Sequence, residues 1–298
     1  MPQRFADGTF DPKSFRAFLS RAEALGFESA WTQEQVLGRF PQLGPTETLT
    51  FAAACTERIR LGCAVYVTPL HSPVHLAKSL STLDQLSGGR LEVGVGAGGK
   101  QRAFAAFDVD PATYIARFTE GVALMKACWT EPTITFDGRF WQLHGAVMEP
   151  KPIQKPFPPL WFGGGHPNAL RRAARFGGGF FGAGSSTTAQ FRDQVRELRM
   201  ILTDEGRDGA EFPVAKRVYI HVDEDADRAR RLVSQNLAQI YADIAADFTA
   251  VAVFGSPTTC IEGVREVIDA GAELVLFTPL HDEAVQMERL AAEVVSAF

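Results

Sequence analysis

The chain has 298 residues, 46% hydrophobic and 22% charged, with a net charge of −5. This is the composition of a soluble globular protein, long enough to bury a core without disulfide or metal staples. The acidic balance argues against a nucleic-acid partner, and no basic run exceeds three residues. Cys55, Cys63, Cys128 and Cys260 are scattered without a C-x-x-C pair, which reads as reduced thiols rather than a metal or disulfide site. The opening "MPQRFADGTFDPK" has no long apolar run, and no window approaches a membrane span. No signal peptide, no membrane contact and a cytoplasmic location are therefore expected.

The chain alternates amphipathic stretches with short apolar runs. "SFRAFLSRAEALGF" places Phe15, Phe18, Leu19, Ala22 and Leu25 at helical spacing, with Gly26 as a stop. "ESAWTQ" reads as a strand and "PTETLTFAAACTE" as a helix with Thr46 offering a cap. "RIRLGCAVYVTP" is a β-branched strand ended by Pro69. "SPVHLAKSLSTLDQLSGG" is a helix with Ser72 at the N-cap, Pro73 at the first turn and Gly88 at its end. "RLEVGVGA" is a strand and "ARFTEGVALMKACWT" a helix.

Residues 130–159 break this rhythm with six prolines, a hairpin around "FDGRF" and no helix. A segment of this length without a helix reads as a functional insertion or lid. Its Phe136, Phe140 and Trp141 either line an apolar substrate pocket or form the insertion's own core. Alternation then resumes: strand "LWFGGG", helix "PNALRRAARF", strand "GGFFGAG", helix "TAQFRDQVRELRMILTDEG", strand "FPVAKRVYIHVD", helical residues 223–247, strand "AGAELVLFTPL" and helix "DEAVQMERLAAEVVSAF". Seven strands and eight helices imply a parallel sheet and fit a (β/α)8 TIM barrel better than a doubly wound sheet. Such barrels fill roughly 250 residues or more as one domain, so residues 1–298 are read as a single domain. The first strand is truncated or missing, with "PQRFA" at most a stub.

Gly94, Gly96 and Gly99 in "RLEVGVGAGGK" have the spacing of a dinucleotide-binding turn. That turn should follow the first strand of its unit, with an acidic residue ending the next strand. Here the acid at the right distance is Glu120, inside a helical pattern, so the dinucleotide reading fails. What remains is a strand whose glycine-rich C-terminal end lies on the active-site face of a barrel. "LWFGGGHPNALRRAARF" repeats the character: Gly163, Gly164 and Gly165 lead into a helix opened by His166 and Pro167. Its first-turn N–H groups, with Asn168, offer an anion site. A third cluster, "GGGFFGAGSS", ends the next strand with Ser185 and Ser186 as donors.

"RAEALGFESAWTQEQ", "RIRLGCAVYVTPLHSPVHLAKSLSTLDQLSGGRLEVGVGAGG", "PPLWFGGG…ALRRAARFGGGFF" and "AGAELVLF" resemble the bacterial luciferase-like superfamily. The resemblance covers nearly the whole chain from about residue 12, and residues 58–99 are its most specific part. It implies a (β/α)8 barrel with an insertion before the fifth strand, and an oxidoreductase using coenzyme F420 or FMN. Carried over by position, it places Glu34 and Gln35 near the cofactor ring. It also implies a non-proline cis peptide near Ala64–Val65 behind that ring, and Gly96, Ala97, Gly98 and Gly99 beside the ring, with Lys100 the nearest cation. Gly163, Gly164, Gly165 and Asn168 would hold the phosphate, and Ala183 is a further cofactor-binding candidate.

Many members carry a histidine where this chain has Gln35, and glutamine cannot titrate. Glu34 remains as a hydrogen-bond partner, a base or half of a structural ion pair, and His71 is a candidate facing the pocket. His71 and His75 lack a third ligand in the sequence, so no metal is expected. "AGGK" and "WFGGG…ALRRAAR" resemble the F420 branch. The expected function is hydride transfer between F420 and a small organic substrate. The alternatives are an FMN-dependent monooxygenase using reduced flavin and O2, and a non-catalytic flavin-binding protein. A homodimer and a separate flavin or F420 reductase are the expected partners.

Overall fold

Each apolar period of the sequence becomes an element whose buried face follows that period. The computed structural model describes residues 1–2, 9–38, 41–98, 102–241 and 248–298. Gly99, Lys100 and most of the "PQRFA" segment lie outside the described residues. The chain divides into two compact units, Met1–Glu23 with Glu28–Trp161, and Ala24–Phe27 with Phe162–Phe298.

In the first unit, α1 (Pro12–Ala24) buries Phe15, Leu19 and Ala22. β1 (Ser29–Thr32) pairs in parallel with β2 (Arg60–Val67), and β2 with β3 (Leu91–Gly96). All six residues of β3 are buried, as expected of a parallel strand covered on both faces. α2 (Pro45–Cys55) starts from Gly44 rather than Thr46: the Gly44 backbone is extended, and Thr46 already lies in the first turn. α3 (Pro73–Leu86) starts as expected, with the Ser72 hydroxyl accepting the His75 N–H. α4 (Tyr114–Thr130) buries Phe118, Val122, Met125 and Trp129, and the Trp129 indole donates to the Ala77 carbonyl at 2.9 Å.

The insertion forms the expected hairpin, β4 (Ile134–Asp137) against β5 (Gln142–Ala146), and side-chain bonds tie it to the helices beside it. Glu120, the acid that fails as a ribose ligand, instead accepts the N–H groups of Arg139, Phe140 and Trp141 at 2.8–3.1 Å. The Arg117 guanidinium sits about 5 Å from the Phe140 and Trp141 rings, so both aromatics pack on α4. Further along, Ser81 donates to the Pro150 carbonyl and Gln85 to that of Lys151. Gln154 bonds both Asp84 oxygens, joining the insertion to the start of β3 through the Leu91 carbonyl. Glu120→Ala leaves three N–H groups without their acceptor. It should destabilise the fold by about 1–3 kcal/mol and speed hydrogen exchange at 139–141. An unchanged urea midpoint would show that the hairpin is held by its aromatic packing alone.

In the second unit, β6 (Leu160–Gly163, its first two residues in the first unit) is followed by β7 (Gly179–Gly182), β8 (Val214–Val222) and β10 (Leu274–Pro279), side by side in that order. α5 (Pro167–Phe176) and α6 (Thr188–Asp204) flank them, and a capping box of Thr187 with Gln190 opens α6. α7 (Ala226–Ile240) starts three residues later than the helical stretch expected, and residues 242–247 of that stretch lie outside the described residues. β9 (Ala252–Gly255) and α8 (Pro257–Asp269, capped by Ser256) were not anticipated from the sequence. β9 pairs with Tyr219–Val222 of β8. Tyr219 and Ile220 also pair with β10, so β9 takes the edge of β8 that β7 leaves after Lys216. The closing helix is α9 (Glu283–Arg289), continued by a π turn over Leu290–Val294.

Candidate functional site

In the first unit, the exits of β1 and β2 bring together two of the three candidate catalytic residues. Glu34 follows β1, and its side chain is only 2% exposed. Its Oε2 accepts the Val67 N–H at 2.6 Å at the end of β2, and its Oε1 lies 2.8 Å from His71 Nε2. A 3-10 turn over Thr68–Leu70, closed by the His71 N–H on the Thr68 carbonyl, delivers the imidazole to that carboxyl. The His71 ring meets the Tyr66 ring edge-on at 6.2 Å, and the Tyr66 hydroxyl lies 3.3 Å from Thr46 Oγ1. Burial pushes the Tyr66 phenol well above its usual range. His71 itself keeps 28% of its side chain exposed, so one face of the pair remains accessible.

Three buried side-chain oxygens at these strand exits, Thr32 Oγ1, Gln35 Oε1 and Thr68 Oγ1, have no hydrogen-bond partner among the described residues. Buried polar atoms are normally satisfied, so these are positions where a polar-edged ligand fits. The peptide between Ala64 and Val65 is cis, where the family resemblance implies it. The β2–β3 register slips here: Cys63 to Tyr66 on β2 spans only Val93 to Val95 on β3. That bulge accounts for the β3 glycines. A Cβ on Gly94 would lie inside contact with the Cys63 carbonyl oxygen, and one on Gly96 would lie 2.7 Å from the Val65 side chain. The space beside both glycines is thus filled by β2 itself. Ala97 and Gly98 follow, half-buried and exposed, with Gly98 at φ +67.

In the second unit, Gly163, Gly164 and Gly165 leave β6, with Gly164 at φ +123. His166 caps α5: its Nδ1 accepts the Asn168 N–H at 3.1 Å, and its carbonyl accepts those of Ala169 and Leu170. Asn168 Oδ1 accepts from Arg171 at 2.9 Å. The first-turn donors expected to face an anion are therefore used within the helix. Arg171, a surface cation beside them, was missed in the sequence because its helical spacing reads as a solvated face. Ala183, at the exit of β7, is half-buried, and its carbonyl accepts from Lys216.

His75 lies exposed on α3 and His144 exposed on the hairpin, so neither joins the Glu34–His71 pair. Two histidines that the sequence did not single out, His221 and His281, stand at the ends of β8 and β10 with ring centroids 6.4 Å apart. His221 is 4% exposed, and burial lowers its pKa. Its neighbour Asp223 is gripped by Arg228 through two 2.6 Å bonds, which hold the Asp223 carboxyl down at about 2. Among the described residues, no group of three or more His, Cys, Asp or Glu side chains is arranged to hold a metal ion. Because Asp223 is more acidic folded than unfolded, it stabilises the fold above about pH 4. That contribution disappears as pH falls towards 2. Asp223→Asn should therefore flatten the acid limb of the urea midpoint below pH 4, and an unchanged limb would contradict this role.

Comparison with known proteins identifies the family. The family described as luciferase-like monooxygenase matches residues 2–274. An F420-dependent glucose-6-phosphate dehydrogenase of Kineococcus radiotolerans is 26% identical over 96% of this chain and 93% of its own length. An FMNH2-dependent dimethylsulfone monooxygenase of Pseudomonas putida is 28% identical over 84% of this chain and 65% of its own. An uncharacterized Sinorhizobium fredii protein is 33% identical, but the match spans only 54% of this chain and 46% of that protein. Among solved structures, the monooxygenase RslO1 of Streptomyces bottropensis superposes with a TM-score of 0.85 at 23% identity, covering 99% of this chain and 97% of that one. The α/β fold class expected from the sequence is borne out, and no helix among the described residues is long and apolar enough to cross a membrane. With its profile matched along almost its whole length, the chain belongs to the luciferase-like monooxygenase family.

Proposed function

We propose that this protein is an F420-dependent oxidoreductase that moves hydride between its cofactor and a small alcohol or carbonyl substrate, with His71 as the proton-transfer residue. The buried Glu34–His71 pair carries this reading. An ionised Glu34 accepts at both oxygens, so the His71 Nε2 holds its proton and Nδ1 is the basic nitrogen. When an alcohol is oxidised, its carbon loses hydride and its oxygen loses a proton, and Nδ1 takes that proton. In the reverse direction the imidazolium returns it. Glu34 orients the ring and balances the charge that forms on it. Gln35, which cannot titrate, only hydrogen-bonds.

The cofactor, F420 or FMN, would supply the hydride-exchanging ring. The residues present fit such a group: Thr32, Thr68 and Gln35 offer unsatisfied oxygens to a polar ring edge. In the first unit Ala64, Val65, Gly96, Ala97 and Gly98 serve the ring. The similarity to the FMNH2-dependent Pseudomonas enzyme supports a second reading, an FMN-dependent monooxygenase using O2. Absorbance titration of the purified protein with each cofactor separates the two, followed by anaerobic turnover against an alcohol panel. Alcohol-dependent bleaching of F420 without oxygen is the expected result, and turnover only with FMNH2 and O2 would replace it with the second reading. The protein is proposed to act in the cytoplasm as a homodimer. A partner reductase is needed only in the second reading.

A further inference from the structure

At its far end, one edge of β8 is held by a helix rather than by a strand. β10 leaves β8 after Ile220. Two residues on, α9 clasps the Val222 backbone instead. The buried Gln286 side chain accepts the Val222 N–H at 2.7 Å and donates to the Val222 carbonyl at 3.0 Å. Arg289 adds a 2.8 Å bond to the same carbonyl. Between β10 and α9 lie Leu280, His281 and Asp282. Leu280 packs on the cluster of Tyr219, Val233 and Leu237. Asp282 is left-handed at φ +48, an uncommon conformation for a residue with a Cβ. α9 is thus a short helix hung from one backbone residue of β8 by way of a strained joint.

His221 stands next to this clasp in the chain. It is buried, and its Nδ1 has no hydrogen-bond partner among the described residues. Buried polar atoms are normally satisfied. Its Nε2 stands 3.8 Å from Asp223 Oδ2, beyond hydrogen-bond reach. That carboxylate is committed elsewhere. Both its oxygens accept from Arg228 of α7, and Oδ1 also accepts the Asp225 N–H. α9 and its joint bring up two groups that oppose a proton on His221. The His281 ring lies 6.4 Å away, centroid to centroid, and the Arg289 charge acts on it as well. Asp282 is the opposing charge of the joint, and it lies 3.2 Å from His281 Nε2. Arg289 is itself paired with Glu293 and Glu224. β9 places Phe254 opposite His221, and α8 turns the Cys260 thiol, which burial pushes up to about 12, to the His221 carbonyl. Neither carries a charge at neutral or acid pH. A proton on His221 would therefore sit in the interior with its nearest carboxylate already gripped.

We propose that His221 and His281 form an acid-operated latch on α9: protonation of the pair opens the Gln286 clasp and frees residues 280–289 from β8. The latch lies wholly in the second unit and stands whether or not the chain binds a flavin-type cofactor. Its direction follows from burial. Closed, the site disfavours the charged imidazole, so the His221 pKa is lowered from 6.5. Open, the ring meets water and takes its proton more readily. The closed form is therefore favoured above about pH 6.5, and acid shifts the pair towards the open form. One proton taken up on opening raises the open population by at most about tenfold per pH unit. Asp223 acts in a separate window, because its carboxyl is held down at about 2.

The test is amide hydrogen exchange of the full chain between about pH 5 and 7.5, the range in which histidine titrates, corrected for the intrinsic exchange rate at each pH. Amides of residues 283–290 should exchange faster as the pH falls below about 6.5, by up to about tenfold per unit. Those of β3 and β7 should keep their protection. His221→Phe removes the proton and should make α9 exchange independent of pH over this range. His221→Gln should do the same, and it decides the matter if the phenylalanine variant does not fold. Gln286→Leu removes the clasp and should give fast α9 exchange at every pH; slow exchange there would count against the latch. Three further results would overturn the proposal: α9 exchange in the wild type that ignores pH, an acid response that survives in the histidine variants, or one shared equally by every strand. The imidazole resonances of the wild type supply a check that needs no variant. His221 should take up its proton together with the loss of α9 protection. A His221 that titrates fully while α9 stays protected contradicts the latch.

Discussion

His71→Asn is expected to lower turnover by about 10²–10⁴-fold, the usual worth of a positioned acid–base group, while leaving cofactor Kd within about threefold of wild type. The imidazole is 28% exposed at its site and bonded to a carboxyl that is almost fully buried, so the ring carries the chemistry and the carboxyl the support. Glu34→Gln should lose less. Its amide still accepts from Val67 or meets the ring, but it no longer balances an imidazolium, and it can enforce the wrong tautomer. Both variants should act on kcat more than on KM. Single-turnover reduction of the bound cofactor separates the step from product release. Full activity in His71→Asn would move the proton-transfer role elsewhere, and with it the case for alcohol–carbonyl chemistry.

The second large effect divides two glycines on one strand. Gly94→Ala drives a methyl against the Cys63 carbonyl oxygen, a backbone atom in the middle of a paired strand. Overpacking of that kind costs about 1–3 kcal/mol or more, so this variant should lose stability. Gly96→Val meets only the Val65 side chain, whose nearest atom would be 2.7 Å from the new Cβ. It should keep the fold but displace Val65, weakening cofactor binding about 100-fold or more, on the scale of two lost favourable contacts. Thermal unfolding and cofactor titration on both variants give the pattern. Unchanged cofactor affinity in a folded Gly96→Val protein would remove Gly96 and Val65 from the ring site.

The same strand illustrates what the sequence could say. Its glycine wording has the spacing of a dinucleotide turn, and the family resemblance puts these glycines beside the cofactor ring. The structure gives the glycines a nearer neighbour, the bulge of β2 around the cis Ala64–Val65 peptide. Periodicity revealed the long elements well: α3 with Ser72 and Pro73 at its start, the "FDGRF" hairpin, and the seven strands from β1 to β10 other than β9 and the hairpin. It missed β9 because "AVFG" is four residues, mostly half-buried, and extends only the outer end of β8. α8, which follows it, was passed over with it, although Ser256 and Pro257 give the same start signal as Ser72 and Pro73.

Pairings across the fold were not legible either. Glu34 and His71 were each candidates, but their separation of 37 positions hid that they touch, and the turn over Thr68–Leu70 brings them into contact. Glu120 was judged on the wrong chemistry and proved to be the anchor of the hairpin. Lys216 reads as one charge in a β-branched strand, and its burial beneath a turn depends on the glycine opposite it on β7.

The central claim is that this chain holds a flavin-type ring at the exits of its strands and handles a proton there through His71. Its most direct measurement is an anaerobic titration of the purified wild-type protein with F420 and with FMN, followed by a secondary alcohol. The account predicts saturable binding of F420 at micromolar Kd or tighter, corresponding to about −8 kcal/mol, and alcohol-dependent loss of F420 absorbance that His71→Asn abolishes. Failure of both cofactors to bind at micromolar concentration would contradict it.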